Sequence, residues 1–88
     1  MIKEVCDKII SEFPNAETYR AHFGLYGVIL PWNGEVIVIT EEESGSLAVG
    51  RYTQEQWDNA TMDNLGFEEV ASVDEAMALV NKWTGGEA

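Results

Sequence analysis

The chain has 88 residues, a mass of 9.8 kDa and a formal net charge of −11, from 16 Asp+Glu against 5 Lys+Arg. That length allows a single domain, with a core made by burying roughly 9,000 Å² on folding. The charge excludes non-specific binding to DNA, RNA or anionic membranes, because those surfaces require Lys and Arg to neutralise phosphate.

A hydrophobic share of 45% is that of a folded domain rather than a disordered acidic tail. Cys6 is the only cysteine, so an intramolecular disulfide and a thiolate metal cluster are both excluded. Met1-Ile2-Lys3-Glu4 lacks a signal-peptide pattern, and no apolar run approaches the ~18 residues that span a bilayer. The expectation is a soluble cytoplasmic protein, in the host cytoplasm if it is phage-encoded.

The first element is a helix. Ile2, Val5, Cys6, Ile9, Ile10 and Phe13 recur at i, i+3, i+4, i+7, i+8 and i+11, an apolar stripe along one face. Pro14 disfavours helical geometry at Phe13 and ends it. Residues 15–24 admit two readings. Asn15 can cap a short helix stopped by Gly24, or Thr18–Phe23 can be a strand with Tyr19, Ala21 and Phe23 on one face. The period-two aromatics favour the strand.

Tyr26–Trp32 and Glu35–Glu41 flank Asn33-Gly34, the dipeptide that suits a two-residue type I′ hairpin. Such a turn sets Trp32 opposite Glu35, Leu30 opposite Ile37 and Val28 opposite Ile39. One face then holds Tyr26, Val28, Leu30, Trp32, Ile37 and Ile39. The other holds Ile29, Pro31, Val36 and Val38, so both faces are apolar. Pro31 places its end of the strand at a sheet edge.

A further strand covers Leu47–Tyr52. Thr53-Gln54-Glu55-Gln56 has the capping-box form and opens a short helix to about Ala60, anchored by Trp57. Asp63-Asn64-Leu65-Gly66 is a turn, and Phe67–Ala71 a short strand. Ser72-Val73-Asp74-Glu75 is a second capping box. The helix it opens runs to about Trp83 and buries Val73, Ala76, Met77, Val80 and Trp83, with Gly85-Gly86 as its stop. The sum is an α+β domain: an antiparallel meander of three to four strands, with N-terminal, short middle and C-terminal helices packed mainly on one face.

Catalytic and metal chemistry find little support. His22 is the only histidine, with no second ligand or dyad partner nearby. Cys6 lies on an apolar stripe, as a small core residue. Asp58 and Glu69 have the outer spacing of a calcium loop. Ala60 and Met62 stand where oxygen ligands belong, and Asp63 where glycine does. A non-enzymatic protein with no cofactor and no metal is expected.

The acids are unevenly placed. Residues 1–34 hold four acids and three bases; residues 35–88 hold twelve acids and only Arg51 and Lys82. Glu41, Glu42 and Glu43 are consecutive; Glu55, Asp58, Asp63, Glu68 and Glu69 follow. These eight, with Tyr52 and Trp57 as aromatic anchors, form the candidate partner-binding set. Core packing suits Tyr52 and Trp57 equally well.

In size, charge and lack of catalytic residues the chain resembles the small acidic phage-encoded anti-CRISPR and DNA-mimic inhibitors. The resemblance is one of class, without a shared motif, so no residue is carried over from it. It implies occlusion of a basic nucleic-acid-binding surface on a CRISPR effector or nuclease. The alternatives are an immunity protein or antitoxin against a basic nuclease toxin, and an accessory protein that dimerises through Ile29, Val36 and Val38.

Overall fold

A computed structural model describes residues 2–20, 26–60 and 63–85. The elements are α1 (Ile2–Glu12), β1 (Glu17–Arg20), β2 (Tyr26–Trp32), β3 (Glu35–Glu41), β4 (Leu47–Thr53), α2 (Gln54–Asp58), β5 (Gly66–Val70) and α3 (Val73–Trp83). The strands form one antiparallel sheet in the order β1-β2-β3-β4-β5. This is the α+β meander, with five strands where three to four were expected.

The β2–β3 hairpin fixes the rest. Asn33 and Gly34 have φ of 51° and 77°, both left-handed, which a type I′ turn requires. Trp32 therefore pairs with Glu35, Leu30 with Ile37 and Val28 with Ile39. β1 pairs with β2 only from Tyr26 to Ile29, so Pro31 lies beyond its end on an open edge. The strand reading of residues 15–24 holds for Glu17–Arg20; Ala21, His22, Phe23 and Gly24 fall outside the described residues.

α1 and α3 cover one face of the sheet. Ile2, Val5, Cys6 and Ile9 from α1 meet Val28, Leu30, Ile37, Ile39, Leu47 and Val49 from the sheet and Ala76, Leu79 and Val80 from α3. Ile10, expected in the stripe, is 40% exposed, because it lies ~100° around the helix from Ile9, on the flank of the buried face. Leu79 was absent from the expected stripe. It stands three residues after Ala76 and is 8% exposed. Phe13 follows the last turn of α1 and packs edge-on against Trp32, centroids 5.7 Å apart.

The two long helices thus share one face, as expected, and the short α2 closes the opposite one. Trp57 lies between Tyr19 of β1 and Tyr52 of β4, at 5.6 Å from each ring. The Tyr52 ring lies over Gly50, where a Cβ would come within 2.6 Å of its hydroxyl oxygen. Val36 and Val38, beneath this layer, are only 1% and 6% exposed. The apolar second face is thus the floor of a small aromatic core.

Both helix caps form, with one difference. Thr53 accepts from the Gln56 N–H at 3.0 Å while the Gln56 side chain accepts from the Thr53 N–H at 2.9 Å. Ser72 accepts from the Glu75 N–H, but Glu75 reaches back to the Ala71 N–H at 2.8 Å instead of Ser72. β5 spans Gly66–Val70 rather than reaching Ala71, because Val70 already pairs with Leu47, the first residue of β4. α2 stops at Asp58, two residues early, and Ala60 has a left-handed φ of 52°.

Candidate interaction surface

The eight acids do not form one patch. β4 carries the chain from the β3–β4 loop at Leu47 to the start of α2 at Thr53. Seven strand residues at ~3.3 Å each hold those ends roughly 20 Å apart. Glu41, Glu42 and Glu43 lie at the first end. Glu68 and Glu69 stand near them on β5, because Ala48 pairs with Glu69 and Val49 with Glu68. Glu55, Asp58 and Asp63 lie at the other end, where the Leu65 N–H donates to the Arg51 carbonyl and the Gln54 N–H to the Gly34 carbonyl. The expected strand at Leu47–Tyr52 was the signal that already separated the two groups.

At the loop end backbone bonds hold the reversal, and on β5 Glu68 lies on the helix-covered side in register with Val49 while Glu69 lies on the other side in register with Ala48. The Glu42 N–H donates to the Ser46 carbonyl at 2.8 Å and the Gly45 N–H to the Glu42 carbonyl at 2.9 Å. Gly45, at φ 93°, makes the reversal. Glu41 and Glu42 are half-buried, and Glu43, Glu68 and Glu69 are exposed. β3 and β5 are two strands apart, so Glu41 stands about 10 Å from the β5 row. That exceeds the Debye length of ~8 Å at physiological salt, so Glu41 and the β5 glutamates are largely screened from one another. Among the described residues none of these five carboxylates has a hydrogen-bond or ion-pair partner. Nor do three His, Cys, Asp or Glu side chains converge there on a shared ion. The acids present an array, not a chelating site.

At the turn end Glu35 and Asp58 have internal partners, whereas the Glu55 and Asp63 carboxylates have none among the described residues. Arg51 reaches Glu35 with two bonds, 2.7 Å from Nε and 3.2 Å from a terminal nitrogen. The Arg51 hydrogen bonds hold the Glu35 carboxyl below its ordinary range, more than its slight burial raises it. This pair uses one of the two bases in residues 35–88, leaving Lys82. Asp58 accepts from the Gln54 side chain at 2.9 Å.

Tyr52 and Trp57 are half-buried against each other and Tyr19, so the structure uses them to close the second face. Burial, and secondarily Tyr19, pushes the Tyr52 hydroxyl above its usual pKa. Cys6 is 2% exposed and burial pushes its thiol upward, which keeps it protonated and unreactive. No described helix is long and apolar enough to cross a membrane. No family model, curated protein or solved structure matches the chain.

Proposed function

We propose that this is a non-enzymatic acidic inhibitor that occludes a basic nucleic-acid-binding surface on a partner, in the manner of anti-CRISPR and DNA-mimic proteins. The observation that supports the reading is the loop end of the sheet. Five carboxylates with no partner among the described residues stand there on a hairpin loop and a neighbouring strand. Carboxylates so placed compete with phosphates for the same Lys and Arg through charge-assisted hydrogen bonds. Complementary charge also speeds encounter and orients it. The partner class is a CRISPR effector or another nuclease in the host cytoplasm.

An immunity protein against a basic nuclease toxin would use the same physics, and an adjacent toxin gene would favour it. Dimerisation through Ile29, Val36 and Val38 loses its supporting observation, since Tyr19, Tyr52 and Trp57 form a layer on that face.

The test is capture from host lysate followed by competition. The captured protein should handle nucleic acid, and stoichiometric addition of this chain should displace its DNA or RNA. Displacement should weaken steeply with salt. Capture of proteins with no nucleic-acid function, or displacement indifferent to salt, would remove the reading.

A further inference from the structure

β5 is an edge strand, paired with β4 on one side only. An open groove of about 510 Å³ runs between it and α3. Ala78 and Leu79 give the groove an apolar wall, and Glu68, Glu69 and Glu75 line it with carboxylates. Lys82 is the one cation among the described lining residues.

Open strand edges are templates for pairing, and proteins guard them. β5 has no proline or lysine; its guard is Glu68. Glu68 is in register with Val49 and therefore on the helix-covered side of the sheet. An inward charge on an edge strand discourages pairing with neutral strands and with copies of itself. Two β5 edges pairing antiparallel about Glu68 would set glutamate opposite glutamate. The same charge favours a strand carrying cations.

We infer that the β5 edge and its groove take an extended basic segment of the partner protein, added to the sheet as a sixth strand. Backbone bonds to β5 supply the pairing, as in other strand-addition complexes. Alternate Lys or Arg side chains lay their aliphatic stems on Ala78 and Leu79 and carry their charges to Glu68 and Glu75. This inference rests on the reading of the acidic end as a surface for a basic partner, and it names the mode of contact.

The experiment is a residue-resolved NMR titration of the whole chain with the synthetic peptide acetyl-(Val-Lys)4-amide. Its glutamate counterpart, acetyl-(Val-Glu)4-amide, and a version N-methylated at every second residue are the comparisons. Shifts should concentrate at Gly66–Val70 and at Glu75, Ala78, Leu79 and Lys82, with slowed amide exchange along β5. N-methylation and the variant Glu68→Lys should each weaken binding at least ~10-fold, and the glutamate peptide should not bind. Equal binding of the N-methylated peptide would overturn strand addition. Shifts confined to Glu41–Glu43 would overturn the groove while leaving the acidic surface as the binding site. Protection of β5 that grows with protein concentration, without peptide, would assign the edge to a second copy and overturn the inference. Absence of binding by the lysine peptide would overturn it too, whereas competition with a captured partner separately decides the inhibitor reading.

Discussion

The two ends of the sheet carry similar residues and use them differently. At the turn end, Glu35 is tied to Arg51, Asp58 to Gln54, and Thr53 to Gln56; Tyr52 and Trp57 pack nearby. At the loop end, Glu41, Glu42, Glu43, Glu68 and Glu69 have no partner among the described residues. At the first end Glu35, Asp58 and Thr53 have internal partners that stabilise the fold, while Glu55 and Asp63 have none among the described residues. The loop-end carboxylates have no partner among the described residues, and repulsion among them lowers stability slightly.

The contrast can be broken by substitution at either end. The largest stability effect belongs to Trp57→Ala. It removes the ring between Tyr19 and Tyr52 and opens the cover over Val36 and Val38. Because Trp57 is only half-buried, the loss should be about 2–3 kcal/mol, below the range for fully buried aromatics. Urea denaturation measures it as a lower midpoint. Loss of partner binding with the fold intact would instead return Trp57 to the interface.

Thr53→Ala comes next. It removes one half of the α2 capping box and should cost ~1 kcal/mol. A cost near zero would show that Gln56 alone holds the cap.

Glu35→Gln is smaller, no more than ~1 kcal/mol, since the pair is partly solvated. Its pH dependence has a definite sign. The folded Glu35 carboxyl is lowered, so its contribution is fully present above the unfolded value of ~4.3. It fades as pH falls through the lower folded value. Wild type and Glu35→Gln should differ by a constant amount from pH 5 to 8 and converge below pH 4. A difference persisting in acid would mean that packing, not charge, is the cause.

The smallest stability effect should come from the loop end. Glu41→Lys, Glu42→Lys and Glu43→Lys together should shift stability by less than ~0.5 kcal/mol in either direction, as for surface positions outside the core. A large loss in thermal denaturation would show that these glutamates serve the fold.

Local features were legible in the sequence. Asn33-Gly34 dictated the turn, the register and both apolar faces. Pro14 ended α1, and Thr53 began α2. What escaped depended on contacts distant in sequence. The strand at Glu17–Arg20 is favoured by its period-two aromatics, but its pairing with the edge of β2 could not be read from four residues. The place of α2 depends on Gly50 leaving room for Tyr52 and on Tyr19 arriving from the far strand. An eye on hydrophobic period finds neither, although two apolar faces in so short a chain already required a cover. The division of the acids was available from the length of one strand. The groove beside β5 was not, since it depends on how α3 returns across the sheet.

The account stands most directly on a comparison of affinities. A captured partner should be titrated calorimetrically with wild type, with the loop-end variant Glu41→Lys/Glu42→Lys/Glu43→Lys, and with the turn-end variant Glu55→Lys/Asp58→Lys/Asp63→Lys. Both variants change the net charge equally, so bulk electrostatics is matched. The account predicts a loss of at least ~100-fold for the loop end, because each reversal sets like charges together. It predicts a loss of no more than ~3-fold for the turn end, the share of long-range attraction left after screening. Equal losses, or the larger loss at the turn end, would contradict it.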